Sequence, residues 1–392
     1  MGATSHRYAV STGLLQCATL GILMASAASA QQTPASEAGS AEALERRLDA
    51  LERRAGEWRT RDSVFHLAGY ADAGYADRSG GESGFDLASF NPIIHYQYQD
   101  RVLLEAELEI SIDADGETEL EMEYSTVDVI LNDSMVLVAG KFLSPVGYFQ
   151  QNLHPSWINK LASVPVGFGH DGAALATEIG VQLRGGVALA NDRLWTYAVY
   201  VGNGPELEAE DGEVMGVAAE GFTRDVDDSK VWGGRVSVMP MATVEVGFSG
   251  ARGKATITES DAEEFSGDPK RDYTALGADV GWRWGKSLDV RGEYIRQKVG
   301  SAGVSIAPDS ATWDAWYVQT AYRWPDTPWE FAARYGEFRS PDAAMEQDQV
   351  MLGVSYLWSS NAMAKFGYEF NNGLAGEDSN RNRWLLQIAY GL

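Results

Sequence analysis

VLLEAELEI, residues 102–110, sets Val102, Leu104, Ala106, Leu108 and Ile110 on one side of an extended chain and Glu105, Glu107 and Glu109 on the other. A period of two marks a β-strand with one apolar and one polar face. The pattern recurs far along the chain. ALGADVGWRW (275–284) aligns Leu276, Ala278, Val280, Trp282 and Trp284 against Asp279 and Arg283. AMAKFGYEF (362–370) aligns Ala364, Phe366, Tyr368 and Phe370 against Lys365, Gly367 and Glu369. Nearly every such run has its apolar face, which leaves almost no strand to serve as a sheet edge. Aromatics gather at the strand ends, as in the interfacial girdles of a transmembrane barrel. Beyond residue 30 no run of about 18 apolar residues occurs, so no membrane helix is expected. A membrane protein without one must be a closed barrel, because every backbone polar group needs an internal partner.

The expected fold is all-β: a 16-stranded antiparallel transmembrane β-barrel over residues 64–392. Its strands begin near Val64, Phe85, Val102, Glu119, Met135, Thr177, Leu194, Lys230, Ala242, Arg271, Ser287, Thr312, Trp329, Gln347, Asn361 and Asn382. Short connections at 99–101, 132–134, 190–192, 240–241, 285–286, 325–328 and 359–360 hold turn residues. They alternate with longer links at 77–84, 113–118, 143–176, 203–228, 254–270, 300–311, 340–346 and 371–381. With the amino terminus in the periplasm, the short turns fall there and the long loops fall outside.

Ahead of the barrel, residues 1–30 read as a secretory signal peptide. Arg7 starts it, GLLQCATLGILMA is its apolar core, and Ala28 and Ala30 are the small residues of the cleavage site. The only cysteine, Cys17, lies inside it, so the exported chain has no disulfide. Residues 31–40 are a polar linker. In residues 41–60, Ala41, Leu44, Leu48, Leu51, Ala55 and Trp58 keep the 3-4 spacing of a short coiled-coil seam. The whole chain carries 31 basic and 56 acidic residues, a formal charge of −25. Nucleic acid is excluded as a partner, because phosphate neutralisation needs a basic footprint.

One stretch breaks the alternation. KFLSPVGYFQQNLHPSWINKLASVPVGFGHDGAALATE (141–178) is long, apolar and irregular. The loop proper, 143–176, exceeds ordinary loop lengths and calls for a functional reading. Tyr148, Phe149, Trp157 and Phe168 need a surface to pack on, and only the barrel interior offers one. PSWINKLA (155–162) is expected to start a short helix with Pro155 in its first turn. Lys160, His154 and His170 are the loop's only basic side chains, and Asp171 follows the last of them. The loop thereby becomes the expected constriction of a pore.

Parity assigns the walls. Glu105, Glu107 and Glu109 face inward, opposite Glu119, Glu121 and Glu123 of the hairpin partner. Facing carboxylates repel, so this ladder is either a hydrated acidic face or a divalent-cation site. Arg184, Arg235, Arg283, Arg291, Arg334, Lys365 and Arg383 form an expected basic wall, and two opposed walls would set a transverse field across the lumen. The alternative is that these charges simply pair with one another. No resident metal, cofactor or enzymatic activity is expected. His154 with Ser156, and His170 with Asp171, supply triad letters without triad spacing.

GKFLSPVGYFQ (140–150), leading from a strand into a long loop, resembles the phosphate-selective porins O and P of Gram-negative outer membranes. The resemblance implies an integral outer-membrane barrel, a homotrimer embedded in outer-membrane lipid, and a third external loop folded into the pore. The expected function is a water-filled channel for passive diffusion of small hydrophilic solutes or ions. A channel specific for phosphate, another anion or a sugar is the alternative. A structural envelope barrel, tethered through its coiled coil, is a third reading.

Overall fold

The computed structural model describes residues 59–60, 63–81, 83–112, 116–169, 172–189, 193–261, 265 and 267–392. The signal peptide, the linker and most of the coiled-coil segment lie outside the described residues, as do His170 and Asp171.

Alternation becomes sixteen antiparallel strands: β1 (Ser63–Arg78), β2 (Ser83–Tyr98), β3 (Val102–Ile112), β4 (Thr118–Asn132), β5 (Met135–Leu143), β6 (Thr177–Leu189), β7 (Arg193–Gly202) and β8 (Val231–Met241). The second half is β9 (Val244–Ala255), β10 (Arg271–Trp284), β11 (Leu288–Val299), β12 (Ala311–Arg323), β13 (Trp329–Arg339), β14 (Gln347–Leu357), β15 (Ala362–Gly373) and β16 (Arg383–Gly391). Each pairs with its sequence neighbours, and β16 pairs with β1 from Tyr70↔Gly391 to Arg78↔Arg383. The sheet closes on itself, so the ladder has no free edge. Every strand begins within two residues of its expected start. The turn after β2 uses Gln99 and Asp100 at φ 49° and 50°. That is the primed geometry matching strand twist.

The outer face is apolar. Leu104, Val127, Val199, Phe248, Leu276, Leu352 and Ile388 are exposed there, which suits a hydrocarbon solvent. Rings gather at both rims. Trp282–Trp284 and Trp329–Tyr356 meet at the short-turn end, with centroids 6.0 and 5.0 Å apart. Trp316–Tyr335 and Tyr368–Trp384 meet at the long-loop end, at 5.3 and 4.2 Å.

Three features depart from the expectation. The links 203–228 and 254–270 are not plain polar loops. Glu206–Glu210, Glu213–Ala218 and Ile257–Ser260 build a separate three-stranded sheet. Its apolar residues Leu207, Val214, Val217 and Ile257 are buried. Second, the facing Glu ladder does not form. A β-bulge shifts the β3–β4 register, so Glu105 opposes Thr126 and Glu107 opposes Tyr124, and of the six only Glu109 and Glu121 face each other. The inserted residue breaks a run of like charges that would repel. Third, the loop's helix is Phe149–Asn152, not 155–162. Ile158 N and Asn159 N both return to Pro155 O, closing one turn. The Asn159 side chain then takes over, accepting from Leu161 N (3.3 Å) and donating to Ser163 O (2.9 Å). Such side chain–backbone bonds compete with helix.

Candidate functional site

The described residues of the segment 143–176 run inside the barrel. Its base is closed by Ser144 N donating to Ala176 O at 3.0 Å. Gly147 then turns the chain at φ +95°. A Cβ there would meet the Glu293 carboxylate and lie 2.7 Å from Ile295 Cδ1, so only glycine permits this approach. The approach brings Tyr148 N and Phe149 N to Glu293 Oε1 and Oε2, at 2.6 and 3.0 Å. Gly147 N donates to Ser249 Oγ at 3.0 Å, and Tyr317 OH to Glu293 Oε2 at 3.3 Å. Glu293 on β11 is 5% exposed. A buried carboxylate on two amides is a strong charge-assisted anchor.

Past the anchor, inward side chains of three strands hold the segment in pairs four residues apart. On β11, Gln297 adds to Glu293 by donating to Ala173 O at 2.7 Å. On β13, Glu330 meets Lys160 Nζ at 3.1 Å, and Arg334 donates to Ser163 O (2.9 Å) and Val164 O (2.7 Å). On β15, Lys365 donates to Leu161 O (3.2 Å) and Ser156 O, and Glu369 accepts from Ser163 Oγ. Spacing by four keeps each pair on one face of its strand. Apolar side chains fill between. Phe149, Phe168 and Tyr317 pack edge to face, with centroids 5.0 to 6.3 Å apart. Trp157 packs on Leu357, Met363 and Ala389 at the short-turn end. The segment therefore crosses most of the lumen's height.

On the β3 side His154 faces the wall. Its Nε2 lies 3.8 Å from Glu107 Oε1, and its Nδ1 faces Gln150 O. Burial alone would lower the imidazole pKa. The negative charge of the nearby Glu107 carboxylate, the charge of Glu123 and the Gln150 carbonyl outweigh it and hold the value above the ordinary one.

The two expected walls are mixed, not opposed. Arg184 sits with the acidic residues, 2.5 Å from Asp128 and 3.6 Å from Glu105. Glu105 also meets His95 at 3.2 Å, and Glu121 meets Lys141 at 3.6 Å. Glu119 lies exposed beyond the bulge, and Glu123 is buried. Arg235 pairs with Asp279 and Glu245 at 2.6 and 3.0 Å, Arg291 with Asp289 at 2.8 Å, and Arg383 with Glu369 at 2.5 Å. Arg235 and Arg291 also bracket the Tyr148 ring, 5.2 and 5.3 Å from its centroid. Around these residues the segregated transverse field gives way to local neutralisation, since short pairs cost less than separated charges in a confined lumen, whereas Arg283 stays outside any such pair among the described residues. Sequence reasoning missed Glu293, Gln297 and Glu330 as loop anchors. Their strand parity was readable, but their partners are more than a hundred residues away.

Among the cavities that border the segment, two lie along its middle part. One, of about 880 Å³, is lined by Asp72, Arg78, Glu109, His154 and Arg383. The other, of about 510 Å³, opens at the short-turn end beside Trp157, Lys160, Arg283 and Arg323. Asn159 lines both. A closed barrel with an apolar belt, a polar lumen and an inserted third long loop matches a family model for Gram-negative porins over residues 146–376, more than half of the chain. The chain belongs to the Gram-negative porins. This porin is an integral outer-membrane protein that forms a channel for passive diffusion. Its fold is similar to that of the anion-selective porin of Comamonas acidovorans, with TM-score 0.55 and 13% identity over 84% of this chain and 100% of the other. It is also similar to the outer-membrane channel DcaP of Acinetobacter baumannii, with TM-score 0.56 and 10% identity over 85% and 99%. OmpT of Vibrio cholerae in its trimer form aligns with TM-score 0.54 and 14% identity over 84% and 100%. No curated protein matches the sequence.

Proposed function

We propose that residues 143–176 form the constriction of the channel and that small hydrophilic solutes pass along the cavities beside them. One observation carries this reading. The segment is fixed on β11, β13 and β15 through buried polar side chains, with a cavity on either side. The short turns face the periplasm in this reading. Three chains associate, helped by the seam of residues 41–60, which lies outside the described residues. Tyr148, Phe149, Trp157 and Phe168 pack the loop, and His154, Lys160 and the wall charges set its edges.

Phosphate as a dedicated solute is not favoured. Lys160 is engaged by Glu330, and Arg334 and Lys365 are spent on loop carbonyls. Planar-bilayer recording of purified protein tests the proposal, with ohmic conductance expected in steps of three. A silent membrane would overturn it. Deleting residues 35–62 separates it from the structural-tether reading: loss of trimers with conducting monomers supports the channel, whereas lost envelope attachment with conductance untouched supports the tether.

A further inference from the structure

The second cavity has an unbalanced lining. Five cations border it, namely Lys160, Arg283, Lys286, Arg291 and Arg323, against Asp289 and Glu330 as its carboxylates. Two of the cations are used: Lys160 is held by Glu330 and Arg291 by Asp289. Among the described residues, Arg283, Lys286 and Arg323 have no side-chain hydrogen bond or ion pair. Their positions follow from strand parity. Arg283 lies between Trp282 and Trp284, which face outward on β10, so its side chain points to the lumen. Arg323 ends β12 on the same face as Ala321. Lys286 sits in the turn joining β10 to β11. Three free cations therefore converge on one cleft in a chain of charge −25. The cleft is closed on its inner side by Trp157, Ile158 and Lys160 of the inserted segment.

Like charges brought together without counter-charge raise the local potential and concentrate anions. Guanidinium groups suit oxyanions in particular, through paired N–H donors. We propose that this cleft is a capture site for small multivalent oxyanions, entered from the turn end and separate from the narrowing made by the loop. The binding claim rests on the cleft alone. Its sidedness rests on the channel reading and on the turn end facing the periplasm. Anions arriving from the loop end meet the inserted segment first, whereas those arriving from the turn end meet the cations directly.

Citrate is the probe. Equilibrium dialysis of labelled citrate against the detergent-solubilised full-length protein should show one saturable site per chain. Combined Arg283→Gln, Lys286→Gln and Arg323→Gln should weaken it about tenfold or more, the sum of three screened ion pairs. Arg101→Gln with Arg193→Gln, which removes turn-end cations outside the cleft, should leave it intact. In bilayers, citrate should block at about tenfold lower concentration from the turn side than from the loop side. Asp133→Cys, in the β4–β5 turn, reports orientation through an impermeant thiol reagent. No saturable binding, or equal weakening by the Arg101 and Arg193 changes, overturns the site. Binding with equal block from both sides overturns the sidedness alone. Absence of conductance with binding retained overturns the channel reading and leaves the site standing.

Discussion

Residues 143–176 and the links at 203–228 and 254–270 interrupt the same alternating pattern, yet they fold in opposite ways. The first has few charges and many rings, and it is held by side chains of the barrel wall. The second is crowded with carboxylates, and it buries Leu207, Val214, Val217 and Ile257 in a small sheet of its own. A long insertion must satisfy its backbone somewhere. The inserted segment uses the wall's side chains for this, whereas the acidic links use each other. The difference teaches that inward folding depends less on loop length than on polar anchors waiting opposite.

Removing the strongest anchor should have the largest effect. Glu293→Ala leaves two buried amides without an acceptor, a loss of about 2–5 kcal/mol of loop docking. The expected outcome is protease cleavage within 143–176 and noisy single-channel current, with the barrel still heat-stable on gels. Intact loop protection in this variant would show that the apolar packing alone holds the segment.

A smaller effect is expected at His154. Its pKa is raised in place, so its contribution to docking is complete below about pH 6.5, the free value, and is lost as pH climbs through the raised value. Current fluctuations should therefore increase on the alkaline side. His154→Gln should flatten that dependence while changing conductance at low pH by no more than about twofold. A profile unchanged by the substitution would remove His154 from the account.

The acidic links should respond least. Arg224 meets Glu206 at 3.3 Å but is largely exposed. Arg224→Ala should cost well under about 1 kcal/mol and leave both conductance and loop protection as they were. A large change in either would mean that the outer sheet braces the inserted segment after all.

Much of this was readable in the chain. Period-two alternation, with turn residues at seven short connections, located all sixteen strands, because burial in lipid forces an apolar outer face on each. The inserted loop was readable from its rings, which would not sit in water. What the sequence left hidden concerns register and partners. Inserting Glu123 as a bulge reverses which residues face each other, and no local pattern reports it. The mixing of the charged walls follows from that register and from anchors such as Glu330 and Lys160, 170 residues apart. The helix at Phe149–Asn152 was hidden too, since it forms where Glu293 receives the amides, not where local spacing is best.

The pairing of β1 with β16 also constrains how the molecule is made. Tyr70 finds Gly391 only after nearly the whole barrel has been synthesised, so the ring cannot close during translation and the search for closure spans the full contour of the chain. Gly391 is also where Trp157 rests: a Cβ at that position would lie 2.7 Å from the indole. The last step of closure and the seating of the inserted segment thus meet at one glycine. A barrel whose seam is open has no floor for Trp157, so incomplete assembly and an unseated inserted segment become a single recognisable defect.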